Sequence, residues 1–134
     1  FLALVPDFDL PTPLARSVLP KDVSRADAIY NIAHGAMVLK ALELGDEKLL
    51  RNAMQDALHQ PYRKKLIPDY DAIEGLVRTS GAAFCLSGAG PTLLCITRNK
   101  KLRETLEKRL DGITSAKWEI RPLHVEFKGA HIVE

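Results

Sequence analysis

The chain has 134 residues, 46% of them hydrophobic and 27% charged, with a net charge of +2. That length suits one domain with its own core and excludes two full-sized ones. The small charge, with no Lys/Arg cluster interleaved with aromatics, excludes a nucleic-acid surface, and no apolar stretch approaches a membrane span or an export signal.

In chain order, Phe1-Leu2-Ala3-Leu4-Val5-Pro6 reads as a strand entered without a preceding turn, and with no initial methionine the chain reads as a piece of a longer one. Pro11 and Pro13 keep the next segment extended. Thr12 is placed as an N-cap with Pro13 at the first helical position, so residues 14–18 form a short helix that Leu19-Pro20 stops. Arg16 lies in its middle, at a chain bend.

From Ser24 the helical period runs for about six turns to a glycine cap at Gly45. Ala28, Ile29, Ile32, Ala33, Ala36, Met37, Val38, Leu39, Ala41, Leu42 and Leu44 nearly encircle it, which predicts a helix buried on most of its faces. The polar stripe Asp27, Asn31 and His34 reads first as a solvated edge with a satisfied histidine, and second as a ligand-facing stripe.

Asp46 then caps an amphipathic helix carrying Leu49, Leu50, Ala53, Met54, Ala57 and Leu58, stopped by His59-Gln60-Pro61. Residues 62–68 read as a proline-bracketed, positively charged connector. Asp69 or Asp71 opens the next helix, with Ile73, Leu76 and Val77 as its buried face and Gly81 as its end.

Two strands follow, at 82–86 and 92–97, joined by the glycine loop Leu86-Ser87-Gly88-Ala89-Gly90-Pro91-Thr92. Its nearly bare backbone, with hydroxyls at both rims, suits either a plain hairpin turn or close approach to a ligand. Cys85 and Cys95 read as buried, free thiols of a cytosolic protein rather than a bridge. Residues 100–110 form a helix with Leu102, Leu106 and Leu110 in line and Glu104 with Lys108 as an ion pair, followed by strands over 117–127 and 130–133. The order predicts an α+β domain: one mostly antiparallel sheet with helices packed on one face.

No nucleotide-binding glycine fingerprint, C-x-x-C or H-E-x-x-H pattern occurs. Asp56 and His59 make half a metal site at most, so no metal is assigned. Arg16 and Arg63 each read singly as surface residues; converging, their planar forks would select a carboxylate or phosphate.

Three stretches taken together carry a resemblance. Thr12-Pro13-Leu14-Ala15-Arg16-Ser17-Val18-Leu19-Pro20, His59-Gln60-Pro61-Tyr62-Arg63-Lys64-Lys65-Leu66-Ile67-Pro68 and the glycine loop resemble the C-terminal half of the homoserine kinase family, within the superfamily of galacto-, homoserine, mevalonate and phosphomevalonate kinases. The glycine loop is shared across the superfamily, whereas the first two stretches point to the homoserine member. The resemblance implies a four-stranded, ferredoxin-like C-terminal kinase domain over residues 1–134. It implies a cytoplasmic enzyme that phosphorylates the side-chain hydroxyl of homoserine on the route to threonine, using ATP and Mg2+. Arg16 and Arg63 are then expected to grip the homoserine carboxylate, with His59 and Asn31 in the same pocket. Ser87, Gly88, Ala89, Gly90 and Thr92 would form an active-site loop against a phosphate-binding loop. That phosphate loop belongs to the family's N-terminal half, which is absent here, so the 134 residues alone are expected to be inactive. A homodimer is compatible with this reading. The competing readings are a mevalonate-type acceptor and a non-catalytic domain that binds an amino acid without ATP.

Overall fold

The computed structural model describes residues 1–130 and 132. Its strands are β1 (Leu2–Pro6), β2 (Ala83–Leu86), β3 (Leu93–Ile96) and β4 (Trp118–Pro122). Its helices are α1 (Thr12–Ser17), α2 (Arg25–Leu44), α3 (Glu47–Ala53), α4 (Gln60–Arg63), α5 (Tyr70–Thr79) and α6 (Leu102–Arg109), with 3-10 turns at Lys64–Leu66 and Leu110–Gly112. All three strand pairings are antiparallel, in the order β2-β3-β1-β4, so the α+β class and the four-stranded antiparallel sheet are as expected. With α5 before β2 and α6 before β4, this is the split β-α-β arrangement of ferredoxin-like folds.

Register decides what each side of the sheet meets. Phe84 lies opposite Cys95 and Leu86 opposite Leu93, while Leu2 and Leu4 of β1 pair with the same two β3 residues. These side chains share one face and pack against Ile73, Leu76 and Val77 of α5 and Leu102 and Leu106 of α6. The other face is not bare: Ala83 and Ile96, opposite one another, meet Val38 and Ala41 of α2 and Leu50 of α3. Helices therefore cover both faces at the β2-β3 end, rather than one. Strand β2 is apolar on both sides, and the small side chain of Ala83 admits the second helical layer.

Helix α2 has the predicted ends. The Ser24 hydroxyl accepts from the Asp27 N–H at 3.0 Å, and Gly45 closes the helix at φ +62°. Its predicted burial does not occur: only Ala41 is buried, while Ile29, Ile32 and Leu39 are 60%, 74% and 72% exposed. The sheet and α3 occupy one side of α2, and no described element covers the other.

Several local details also differ from the sequence pattern. Helix α1 starts at Thr12, which makes no capping bond, with Pro13 inside the first turn. Helix α3 opens as expected, the Asp46 carboxylate accepting from the Leu49 N–H at 2.8 Å, but ends at Ala53; the expected connector then holds α4 and a 3-10 turn. On α6 the ion pair is Arg103–Glu107, at 2.7 Å, in place of Glu104 with Lys108. Strand β4 stops at Pro122 because its partner β1 begins opposite, at Leu2. The expected strand at 130–133 falls partly outside the described residues, and Ala130 and Ile132 are in no strand.

Asp69 has φ +67° and precedes α5 without capping it. Its carboxylate instead accepts from the Ser115 N–H at 2.9 Å and the Ala116 N–H at 3.1 Å, holding the approach to β4 against the start of α5.

Cys85 and Cys95 lie on opposite faces of the sheet and are free. Burial pushes the Cys85 thiol up to about 11 and that of Cys95 up to about 12. Iodoacetamide at pH 8 is therefore expected to leave both unmodified in the folded chain and to label both once urea unfolds it, as read by intact mass.

Candidate functional site

The glycine loop caps the β2-β3 hairpin. Its Ser87 N–H donates to the Thr92 carbonyl at 2.9 Å and its Gly90 N–H to the Ser87 carbonyl at 3.0 Å. Gly88 and Gly90 stand at φ +59° and +86°, where a side chain would be strained. A Cβ on Gly90 would also lie 3.0 Å from Leu86 Cδ1 and 3.2 Å from Ile67 Cδ1. One side of the loop is thus seated on the core, while Ser87 and Gly88 face solvent, with Ala89 and Thr92 half-buried.

Arg63, the last residue of α4, reaches across this loop to α1. Its Nε donates to the Ala15 carbonyl at 3.0 Å and its Nη1 to the Gly88 carbonyl at 3.1 Å. Two of the five guanidinium N–H groups are thereby used, and Nη2 has no partner among the described residues. The arginine is fixed in orientation with part of its fork still open. Arg16 is one residue beyond the carbonyl that Arg63 grips; its side chain is exposed and unpaired among the described residues. The structure links Arg63, α1 and the glycine loop directly, and gives no contact between the two guanidinium groups.

His59 and Asn31 come together on a third residue, Asp56. The Asp56 side chain is only 7% exposed. It accepts from Asn31 Nδ2 at 2.7 Å, from the His59 N–H at 2.7 Å and from the Gln60 N–H at 2.6 Å. Asn31 Oδ1 in turn accepts from the Ala57 N–H at 2.8 Å, so its amide clasps the segment from both ends. His59 Nε2 lies 3.7 Å from Asp56 Oδ1, and His59 Nδ1 is buried without a partner among the described residues. One residue on, Gln60 Oε1 accepts from the Leu86 N–H at 2.7 Å, joining α4 to the strand that enters the glycine loop. Asn31, His34, Gln55, Asp56, His59 and Cys85 line a cavity of about 260 Å³. The stripe histidine, His34, is locally satisfied: Nδ1 pairs with the Tyr30 carbonyl at 2.8 Å and the ring stacks on Tyr30.

Asp56 and Gln60 are the residues that the sequence reading missed as parts of the site. No local signal marked them: Asp56 stands four residues ahead of Gln60, outside the usual capping position, and its partner Asn31 lies on another helix. The Asp56 carboxylate serves the N–H groups of His59 and Gln60, where α4 begins.

Asp56 and Asp69 carry charge–stability linkage. Burial pushes the Asp56 carboxyl up, but the bonds from Asn31, Gln60 N–H and His59 N–H outweigh it and hold it below the ordinary 3.8. At Asp69 burial is likewise outweighed by bonds from Ala116 and Ser115, which also set it below 3.8. A carboxyl lowered in the folded state contributes stability fully above its unfolded value, and loses it as pH falls through the folded one. The unfolding midpoint of the chain is therefore expected to drop steeply below about pH 4, and Asp69→Asn to flatten that drop, measured by urea titration at successive pH values.

The chain is similar to known proteins over most of its length. A sequence profile described as GHMP kinases C terminal matches residues 38–112. The chain is 45% identical over 133 residues to a homoserine kinase of Nostoc punctiforme, covering 94% of this chain and 42% of that protein. It is 40% identical over 141 residues to one from Clostridium botulinum, covering 100% of this chain and 46% of the relative. The crystal structure of homoserine kinase from Cytophaga hutchinsonii superposes with a TM-score of 0.81 at 23% identity, over 90% of this chain and 39% of that one, which shows a shared fold. The chain thus spans less than half the length of the curated relatives it matches. No helix of the described residues is long and apolar enough to cross a membrane. With the matched profile running from α2 through the glycine loop to the end of α6, the chain belongs to the GHMP kinase family, as its C-terminal domain.

Proposed function

We propose that this chain is the acceptor-holding half of a homoserine kinase, which transfers the γ-phosphate of ATP to the side-chain hydroxyl of homoserine. The observation that carries the reading is the fixed, half-open fork of Arg63, set between the glycine loop and α1. A guanidinium whose inner donors are tied to backbone carbonyls offers its remaining donors to a carboxylate without losing further freedom. Arg16, on the neighbouring exposed turn of α1, supplies a second cation to the same anion. The names carried by the Nostoc and Clostridium relatives support homoserine as the acceptor.

Phosphoryl transfer depends mainly on alignment and charge stabilisation. On this reading Arg63 and Arg16 hold the carboxylate end of homoserine, the Asp56 cluster shapes the wall beside it, and the glycine loop lies where acceptor and nucleotide meet. Magnesium bound with nucleotide phosphates takes only one or two protein carboxylates, and on this reading those stand beside the phosphate-binding loop. ATP and Mg2+ are accordingly assigned to an N-terminal half like that of the longer relatives. The same reading places the enzyme in the cytoplasm, where its two free thiols stay reduced.

ADP release by the full-length protein, compared with homoserine, mevalonate, galactose and no acceptor, tests the proposal. Homoserine-dependent turnover alone supports it. Turnover with mevalonate would keep the arginine clamp and change the acceptor. No turnover, together with amino-acid binding that needs no ATP, would favour a regulatory domain.

A further inference from the structure

Asn31 and Asp56 are joined across α2 and the segment that follows α3, and their polar atoms are spent on the chain itself. Asp56 Oδ1 takes the Asn31 amide, while Oδ2 takes the two N–H groups that begin α4, at 2.7 and 2.6 Å. Asn31 Oδ1 takes the Ala57 N–H, which fixes which end of the amide faces the carboxylate. The far end of α4 is Arg63, whose guanidinium depends on the axis and rotation of that helix for its two carbonyl contacts. Arg63 lies about one helical turn beyond His59, so whatever orients the first N–H groups of α4 also orients the arginine.

We infer that Asp56, with Asn31 as its brace, is a positioning residue for the acceptor site: it sets α4, and through α4 the Arg63 fork. This rests on the homoserine kinase reading for its substrate, but the geometry is independent of which acceptor carries the carboxylate. Among the described residues Asp56 makes no hydrogen bond to the glycine loop or to α1, and its influence passes along one turn of helix. A four-residue helix has little stability of its own, so its direction depends on the groups that bind its ends. Gln60, bonded to the Leu86 N–H, holds the same turn against β2.

The hydrogen bonds admit a reciprocal exchange. In Asp56→Asn alone, two amides meet and one donor faces another across the Asn31 contact. In the double variant Asn31→Asp with Asp56→Asn the direction of that bond reverses: the carboxylate at position 31 still accepts from the Ala57 N–H, and the amide oxygen at position 56 still accepts from the start of α4.

The test uses the full-length protein, with steady-state kinetics for both substrates and thermal unfolding of each variant. Asp56→Asn is expected to raise the acceptor KM roughly tenfold or more while the ATP KM stays within about twofold, the scale of a misplaced binding group. The exchanged pair is expected to recover most of that loss. In an Arg63→Leu background, Asp56→Asn is expected to add less than about twofold, because its route of action is already gone. Equal rises in both KM values, full additivity with Arg63→Leu, or an exchanged pair that folds like the wild type but keeps the defect would each overturn the inference. If the wild-type protein turns over mevalonate rather than homoserine, the same comparison is made with mevalonate, and only the substrate reading fails. If it turns over no acceptor, equilibrium binding of the free amino acid to the same variants replaces KM, and unchanged affinity in Asp56→Asn overturns the inference.

Discussion

Replacing Arg63 by leucine is expected to weaken homoserine binding on the order of a hundredfold and lower turnover, with ATP affinity nearly unchanged, as measured by initial rates of the full-length protein. The size is that of losing charge-assisted hydrogen bonds, about 3 kcal/mol. Leucine fills much of the same space but donates nothing, so the Ala15 and Gly88 carbonyls lose their partner as the carboxylate loses its cation. Arg63→Lys separates these effects. An ammonium keeps the charge but cannot hold both carbonyls in one plane while presenting a fork, so an intermediate loss is expected. A leucine variant with wild-type homoserine kinetics would refute the assignment of Arg63.

The largest loss of stability is expected from Phe84→Ala. Phe84 is 1% exposed, stands on β2 on the face that β1, β2 and β3 share, and meets the Tyr70 ring edge-on at 5.4 Å between centroids. Removing the ring takes away its transfer energy and leaves a cavity that α5 and the sheet cannot both close, at about 3–5 kcal/mol. Urea unfolding followed by circular dichroism measures it. A cost below about 1 kcal/mol would mean that the core relaxes around the gap, contrary to the packing between α5 and β2.

The parts of the fold that were legible in the sequence are those fixed by local chemistry. Ser24 and Gly45 mark both ends of α2 because each satisfies backbone groups within one turn. The strands flanking the glycine loop are apolar, and the loop demands positive φ at Gly88 and Gly90. The misread parts depend on distant partners. Periodicity shows that α2 is apolar nearly all round, but says nothing of what covers each side; within this chain, Ile32 and Leu39 are left exposed. Likewise Met54, Ala57 and Leu58 continue a helical pattern, yet α3 ends at Ala53, and Asn31, a residue of another helix, holds the chain beyond that end at Ala57. Of the candidate site, Arg63 and the glycine loop prove to be bonded to each other, and Asn31 and His59 to meet on Asp56. That joining carboxylate could not be recognised before the fold brought α2 beside it.

The central place of β1 in the sheet also shapes how the chain reaches its native state. Leu2 pairs with Cys95 on one side and Pro122 on the other, so the first strand waits for partners near the far end of the sequence. Only the β2-β3 pair closes locally, through the glycine loop. During synthesis that hairpin and the helices before it can form early, while the apolar edge of β3 stays open until β1 docks, and β1 gains its second neighbour only when β4 has been made. Such non-local closure slows folding relative to chains whose contacts are local, and it leaves an unpaired apolar strand edge exposed in the interval.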